Sequence, residues 1–130
     1  KCRADCVTEI GGAVYVVDLK TTENAATDKF MKKSIDYGYP LQAAMYCEGV
    51  KQATGRECSF VFIAIEKTPP YAVNIMQADE IYRQYGYDIF REALGIYHDC
   101  KINNNWYGYL GKFHNINVLG LPAYLAKEFE

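Results

Sequence analysis

The sequence of 130 residues has no long apolar run: the longest uninterrupted one extends only from Phe60 to Ile65. A membrane-spanning helix needs about 20 apolar residues, so no segment fits a bilayer. No basic-then-apolar segment opens the chain, and no signal peptide is visible. The chain starts at Lys1 rather than Met, and it is expected to be the C-terminal part of a longer polypeptide. Positive charge is not in excess either. Lys plus Arg number 14 against 16 Asp plus Glu, a net charge of -2. That argues against coating nucleic acid through bulk positive charge. It leaves room for an enzyme that sets a metal ion and a few local cations against phosphate, because acidic residues are what a Mg²⁺ site is made of. Cysteine is sparse and scattered. Cys2, Cys6, Cys47, Cys58 and Cys100 contain no C-x-x-C pair, an odd count and a spacing that make a poor disulfide framework. The same spacing gives no structural zinc site and no four-cysteine iron–sulfur cluster. Free thiols in a reducing cytoplasm are the simplest reading.

What is present is the composition of one globular domain over residues 1–130: half the residues are apolar and 23% are charged, too apolar for a disordered chain. There is no repeat and no low-complexity tract. Residues 1–10 and 13–22 are strand-like runs around Gly11-Gly12 and predict a hairpin with a two-residue turn. Residues 24–36 predict a short helix starting near Asn24 or Thr27. Pro40 suits the first turn of a second helix that ends at Gly55. The run 58–66 (CSFVFIAIE) predicts a strand buried on both faces, and 71–76 another beyond Pro69-Pro70. Residues 78–101 repeat Ile81, Tyr82, Tyr85, Ile89, Phe90, Ala93, Leu94 and Tyr97 at helical intervals. An Asn-, Gly- and Tyr-rich loop follows, with a short helix within 121–130. The order β-β-α-α-β-β-α predicts an α/β (mixed α+β) domain, a mixed sheet flanked by helices.

The hairpin carries a register argument. With Gly11 and Gly12 as the turn, Asp5 faces Asp18 and Arg3 faces Lys20, so all four share one sheet face. Two directly opposed carboxylates repel. A bound cation, a shared proton or the neighbouring cations must offset that. A divalent metal is an economical answer; a solvated pairing of Arg3 and Lys20 with the two acids is the plain one. Lys20 could orient or deprotonate an attacking water. Tyr15, Val16, Val17 and Leu19 set these charges among apolar neighbours, an unusual place for idle surface groups. Gln42 and Tyr46, four apart, share a face of the second helix and could position water, backbone or phosphate.

The segments KCRADCV, VVDLKTT, YGYPLQAAMYCEGV and SFVFIAIEKTPPYAV, with LPAYLAKEF near the end, together resemble the RecE-type exonucleases (exonuclease VIII family). These are RecB-like PD-(D/E)XK nucleases of prophage recombination systems, with a restriction-endonuclease-like core. The resemblance implies that Asp5 and Asp18 are metal-binding acids, that Leu19 adds its backbone carbonyl, and that Lys20 is the motif lysine. Gln42 and Tyr46 match the family's Q-x-x-x-Y element, which shapes the site and handles DNA; Arg3 is a further DNA-positioning candidate. It also implies a cytoplasmic, Mg²⁺-dependent exonuclease, with Mn²⁺ as a substitute, that degrades double-stranded DNA from 5′ ends. Its partners would be a RecT-type single-strand annealing protein and further copies of itself in a ring.

The family carries one more ligand, often His, on a helix upstream of the first acid. Here only four residues precede Asp5. His98 and His114 lie far downstream and read as structural or solvated. Lys29, Lys32 and Lys33 form a basic cluster, a solvated face by default and a DNA-backbone contact otherwise. The rival to the enzyme is a non-catalytic module of the same fold, used for DNA binding, subunit assembly or partner contact. Twelve tyrosines, among them Tyr85, Tyr87, Tyr107 and Tyr109, suit an interface. Asp5, Asp18 and Lys20 argue for the enzyme, because a scaffold has no use for opposed acids.

Overall fold

The computed structural model describes residues 1–113 and 116–127. These fall into two compact units, Lys1–Ala93 and Leu94–Glu130. The first unit holds a four-stranded sheet in the order β1-β2-β3-β4. Strands β1 (Cys6–Ile10) and β2 (Ala13–Thr22) form the hairpin. Gly11 and Gly12 have φ of 59° and 83°, the pair of positive values that a two-residue turn needs to match strand twist. Ile10 faces Ala13 and Cys6 faces Val17, the register the two glycines imply. The first strand is shorter than expected. It begins at Cys6, so Arg3 and Asp5 precede the ladder and form no cross-strand pairs within it. The physical reason is local. Continued pairing would give the Leu19 N–H to the backbone of Ala4; instead it donates to Asp5 Oδ2 at 2.9 Å.

Strand β2 pairs in parallel with β3 (Cys58–Glu66), Asp18 facing Phe62. Parallel neighbours need a long crossover, and the two helices α1 (Thr27–Asp36) and α2 (Tyr39–Thr54) supply it. The first helix starts later than residue 24 because Asn24 folds back: its Oδ1 accepts the Ala26 N–H at 2.9 Å. Between the helices, Gly38 takes a left-handed φ of 69°, which reverses the chain in two residues and sets Pro40 in the first turn of α2. Strand β4 (Val73–Gln77) pairs antiparallel with β3, two residues later than expected.

The expectation that β3 is buried on both faces is corrected. Cys58, Phe60, Phe62 and Ala64 are buried, while the alternating Ser59, Val61, Ile63 and Ile65 are only half-buried. Both helices of the crossover cover the first face; Leu19 and Ile75, on the second, are exposed. The core is Val16, Phe30, Ala43, Phe60, Phe62 and Ala64, with the Phe60 and Phe62 rings 4.9 Å apart. Burial of this kind contributes about 25 cal/mol per Å² of apolar surface and dominates the unit's stability.

The helix expected at 78–101 is α3 (Glu80–Asn103), which begins in the first unit and ends in the second. Its apolar rhythm is not a buried stripe. Tyr82, Ile89 and Phe90 are half-buried, whereas Ile81, Tyr85, Leu94 and Tyr97 are exposed. Backbone contact sets its position in the first unit. A Cβ built on the buried Gly86 would lie 1.9 Å from the Pro40 carbonyl oxygen, so α3 touches the first turn of α2 directly. In the second unit the Tyr97 and Trp106 rings meet at 5.7 Å, Cys100 is buried, and a short helix α4 spans Ala123–Ala126. No helix among the described residues is long and apolar enough to cross a membrane.

All five cysteines are free thiols. Cys47 on α2 and Cys58 on β3 face each other, and burial, followed by contact with Cys58, pushes Cys47 up to about 12. Burial also raises Cys58. Because the thiolate is the reactive species, brief iodoacetamide treatment of the native protein near pH 8 should label the exposed Cys2 and Cys6 and spare Cys47 and Cys58. Peptide mass spectrometry reads the outcome.

Two glycines of α3 separate packing from propensity. Gly86→Ala forces a methyl group into backbone and should lower unfolding free energy by about 3 kcal/mol or more. Gly95, with open space around it, should stabilise its helix by up to about 1 kcal/mol on replacement by Ala. Urea titrations of both variants check the signs.

Candidate active site

The site grows from β2. Alternation along this strand turns Val14, Val16, Asp18, Lys20 and Thr22 toward the helices. The first two join the core. Asp18 follows them inward and is 3% exposed. An isolated carboxylate there would lose its hydration for nothing in return, so its partners decide whether the strand can form. Gln42, on the first turns of α2, provides them through one planar amide. Its Nε2 donates to Asp18 Oδ1 at 2.9 Å, and its Oε1 accepts from Lys20 Nζ at 2.9 Å. Lys20 Nζ lies 2.6 Å from Asp18 Oδ2 and closes a triangle of three side chains. The amide orientation follows from this network, since the reverse would set two donors against each other at Lys20.

The contact between Lys20 and Asp18 is an ion pair without the angles of a directed hydrogen bond. Asp18 Oδ2 is buried and has no hydrogen-bond partner. It therefore keeps lone-pair capacity for another ligand. Asp5 sits beyond the end of β1, exposed, its Oδ2 accepting the Leu19 N–H. A residue's N–H and C=O leave a strand toward the same neighbour, so the Leu19 carbonyl faces the same edge, past the last ladder pair at Cys6. The direct opposition expected of Asp5 and Asp18 is not formed, because the ladder ends at Cys6; each acid has its own partner, the Lys20 ammonium for Asp18 and the Leu19 N–H for Asp5.

Mg²⁺ prefers oxygen ligands and commonly uses one or two carboxylates, completed by water and substrate oxygens. Asp5 is joined to β2 at the Leu19 N–H, next in the chain to Asp18, so the oxygen donors near that point of the strand are Asp18 Oδ2, Asp5 and the Leu19 carbonyl. No group of three or more His, Cys, Asp or Glu that could hold a metal ion comes together among the described residues.

The remaining residues singled out in the sequence separate. Tyr46, one turn beyond Gln42, packs its ring on Phe60 at 6.3 Å, toward the core. Arg3 is exposed and forms no ion pair among the described residues. In the basic cluster, Lys33 is paired with Glu23 at 2.9 Å and Lys29 with Asp28 at 3.5 Å; Lys32 has no such partner among the described residues. His98 is an exposed residue of α3, and His114 lies outside the described residues. One residue was not anticipated. The Lys20 ammonium stands 4.4 Å from the centre of the Tyr39 ring. The signal was available: Tyr39 lies three positions before Gln42, on the same helical face.

Comparison with known proteins adds two findings. The family model described as a PDDEXK-like domain of unknown function (DUF3799) matches residues 1–117. The crystal structure of a candidate exonuclease from Eubacterium rectale is similar over 94% of this chain, with a TM-score of 0.59 and 20% identity. At that identity the likeness is one of fold, and this chain spans 54% of that protein's chain. No curated protein matches the sequence.

The triangle makes a stability prediction. Gln42→Ala leaves Asp18 Oδ1 buried without a donor and removes the neutral acceptor of Lys20. The loss should be about 1–3 kcal/mol, the usual cost of an unsatisfied buried group. Urea unfolding of the variant measures it; an unchanged midpoint would mean that water replaces the amide freely.

Proposed function

Because this chain belongs to the PDDEXK-like domain family of unknown function (DUF3799), we propose that it is the core of a divalent-metal-dependent deoxyribonuclease. The closed Asp18–Lys20–Gln42 triangle beside Asp5 carries the reading. The second oxygen of that buried carboxylate is held by the Lys20 ammonium alone, without a directed hydrogen bond. The finer assignment is a Mg²⁺-dependent 5′-to-3′ exonuclease acting on double-stranded DNA ends in a prophage-type recombination system. It is supported by the resemblance of the segments around Asp5, Asp18 and Gln42 to RecE-type exonucleases. On that resemblance the full-length protein is cytoplasmic, assembles as a homo-oligomeric ring and works with a RecT-type annealing protein.

In this mechanism Asp5, Asp18 and the Leu19 carbonyl would hold Mg²⁺, which would supply a more acidic water and charge for the departing oxygen. Gln42 fixes Asp18 by its Oδ1, so the other oxygen is presented without rotation. Asp5 is steadied by the Leu19 N–H. Lys20 directs an attacking water and offsets charge that develops on the scissile phosphate. Gln42 holds the Lys20 ammonium through Oε1. DNA positioning by Arg3, and by Tyr46 although its ring packs on Phe60, rests on the resemblance to RecE-type exonucleases alone. The negative net charge is compatible with this, because phosphate contact needs only local cations.

The test is digestion of linear duplex DNA by the full-length protein with Mg²⁺ present. Asp18→Asn and Lys20→Ala should each lower the rate by at least about a hundredfold, the scale of losing a charge-stabilising group. Undiminished digestion by Asp18→Asn would remove the assignment.

A further inference from the structure

We propose that Tyr39 is a positioning residue for Lys20, holding its ammonium over the face of the phenol ring. The inference rests on the nuclease reading for its catalytic consequence and on geometry for the contact itself.

An ammonium has three donors and no acceptor. Asp18 Oδ2 and Gln42 Oε1 occupy two directions around Lys20 Nζ. The Tyr39 ring, its centre 4.4 Å from Nζ, faces the same ammonium. That is well inside the range of about 6 Å over which a ring quadrupole attracts a cation. The side chain of Lys20 is 17% exposed, and attraction of this kind grows when water is excluded.

The half-buried ring packs against three others. It stacks on Phe62 at 5.8 Å and meets Phe30 at 5.9 Å and Tyr37 at 5.6 Å. Its backbone stands between the left-handed Gly38 and the buried Pro40, and Pro40 is in turn held against Gly86. Such a ring does not follow the lysine; the lysine is placed by it.

The placement matters most when Asp18 has another charge to satisfy. A divalent cation at Asp18 Oδ2 would compete with Lys20 for that oxygen and repel the ammonium. Only Gln42 Oε1 and the Tyr39 face would then keep Nζ beside the site. Tyr39 thus acts through Lys20 and touches no reacting atom.

Two readouts on the full-length protein test this. The first is NMR of the Lys20 ε-methylene protons without metal. They should resonate upfield of the other lysines through ring current in the native protein and in Tyr39→Phe, and return to the common position in Tyr39→Leu. The second is kcat for duplex digestion in Mg²⁺. Tyr39→Phe should keep it within a factor of about three, whereas Tyr39→Leu should lower it on the order of tenfold with KM little changed. Phenylalanines carrying one, two and three fluorines at position 39 keep the ring's shape but drain its quadrupole. They should lower kcat stepwise. An absent upfield shift, or kcat indifferent to fluorination and to Tyr39→Leu, overturns the proposal. A native protein that shows the shift and digests no DNA instead refutes the nuclease reading and leaves the contact standing.

Discussion

The structure depends on one buried negative charge being shared out. Asp18 lies 3% exposed in the same strand face as Val16, opposite Phe62. A carboxylate there is unfavourable by several kcal/mol unless charge and hydrogen bonds replace its water. Lys20 alone does not suffice, because an ammonium buried beside it needs acceptors of its own. Gln42 solves both problems, since an amide has a donor for the acid and an acceptor for the base on one rigid plane. The group is therefore neutral overall and pairs most of its polar atoms. The one exception, Asp18 Oδ2, is held near a cation without a directed bond. Removing Asp18 or Lys20 leaves an uncompensated charge, and removing Gln42 leaves buried polar atoms unpaired, either of which is worse than an apolar core.

That arrangement makes the position of α2 critical, and the fold fixes its first turn more firmly than its last. Gly38 reverses the chain, Pro40 is buried, and Gly86 brings the backbone of α3 against it without a side chain between. Ala43 and Ala44, both buried, let the helix approach the sheet closely. Small residues in this helix thus have a structural reason: a larger side chain there would push Gln42 away from β2. Tyr46 and Cys47, one turn on, continue into the core beside Phe60 and Cys58.

What could be read in the sequence was whatever depends on neighbours in the chain. Two glycines fixed the turn and so the facing of Cys6 with Val17; the apolar run 58–66 matched its strand to the residue. Asp18 and Lys20 share a face because strands alternate, and that needs no tertiary information. The link from Gln42 to Asp18 was not legible, because it joins residues on different elements whose packing depends on Gly86, far along the chain. The end of β1 was misjudged because a side chain replaced a backbone partner, and no pattern of hydrophobicity registers that substitution. The second face of β3 was overestimated because composition reports apolarity, not what lies above it. The rhythm of α3 failed for a related reason: Ile81, Tyr85, Leu94 and Tyr97 are apolar in period yet exposed.

The two acids are not equivalent, and the difference bears on how the proposed site would recognise its substrate. Asp18 is buried and immobilised by Gln42, while Asp5 is exposed and held by a single backbone N–H. On the proposed reading a hard cation finds one preorganised oxygen, one adjustable carboxylate and a carbonyl, fewer donors than an octahedral ion requires. Water or substrate phosphate must complete the shell. The site is then incomplete until DNA arrives, so metal and DNA bind with mutual reinforcement, each raising the affinity for the other by the same factor. Lys20 sharpens that dependence. In the resting geometry its ammonium sits at Asp18 Oδ2, the oxygen the cation would use. Metal entry must therefore work against this ion pair, and a phosphate that draws the ammonium toward itself would ease it. A weak resting affinity for metal is in this view a consequence of the same network that makes the buried acid tolerable.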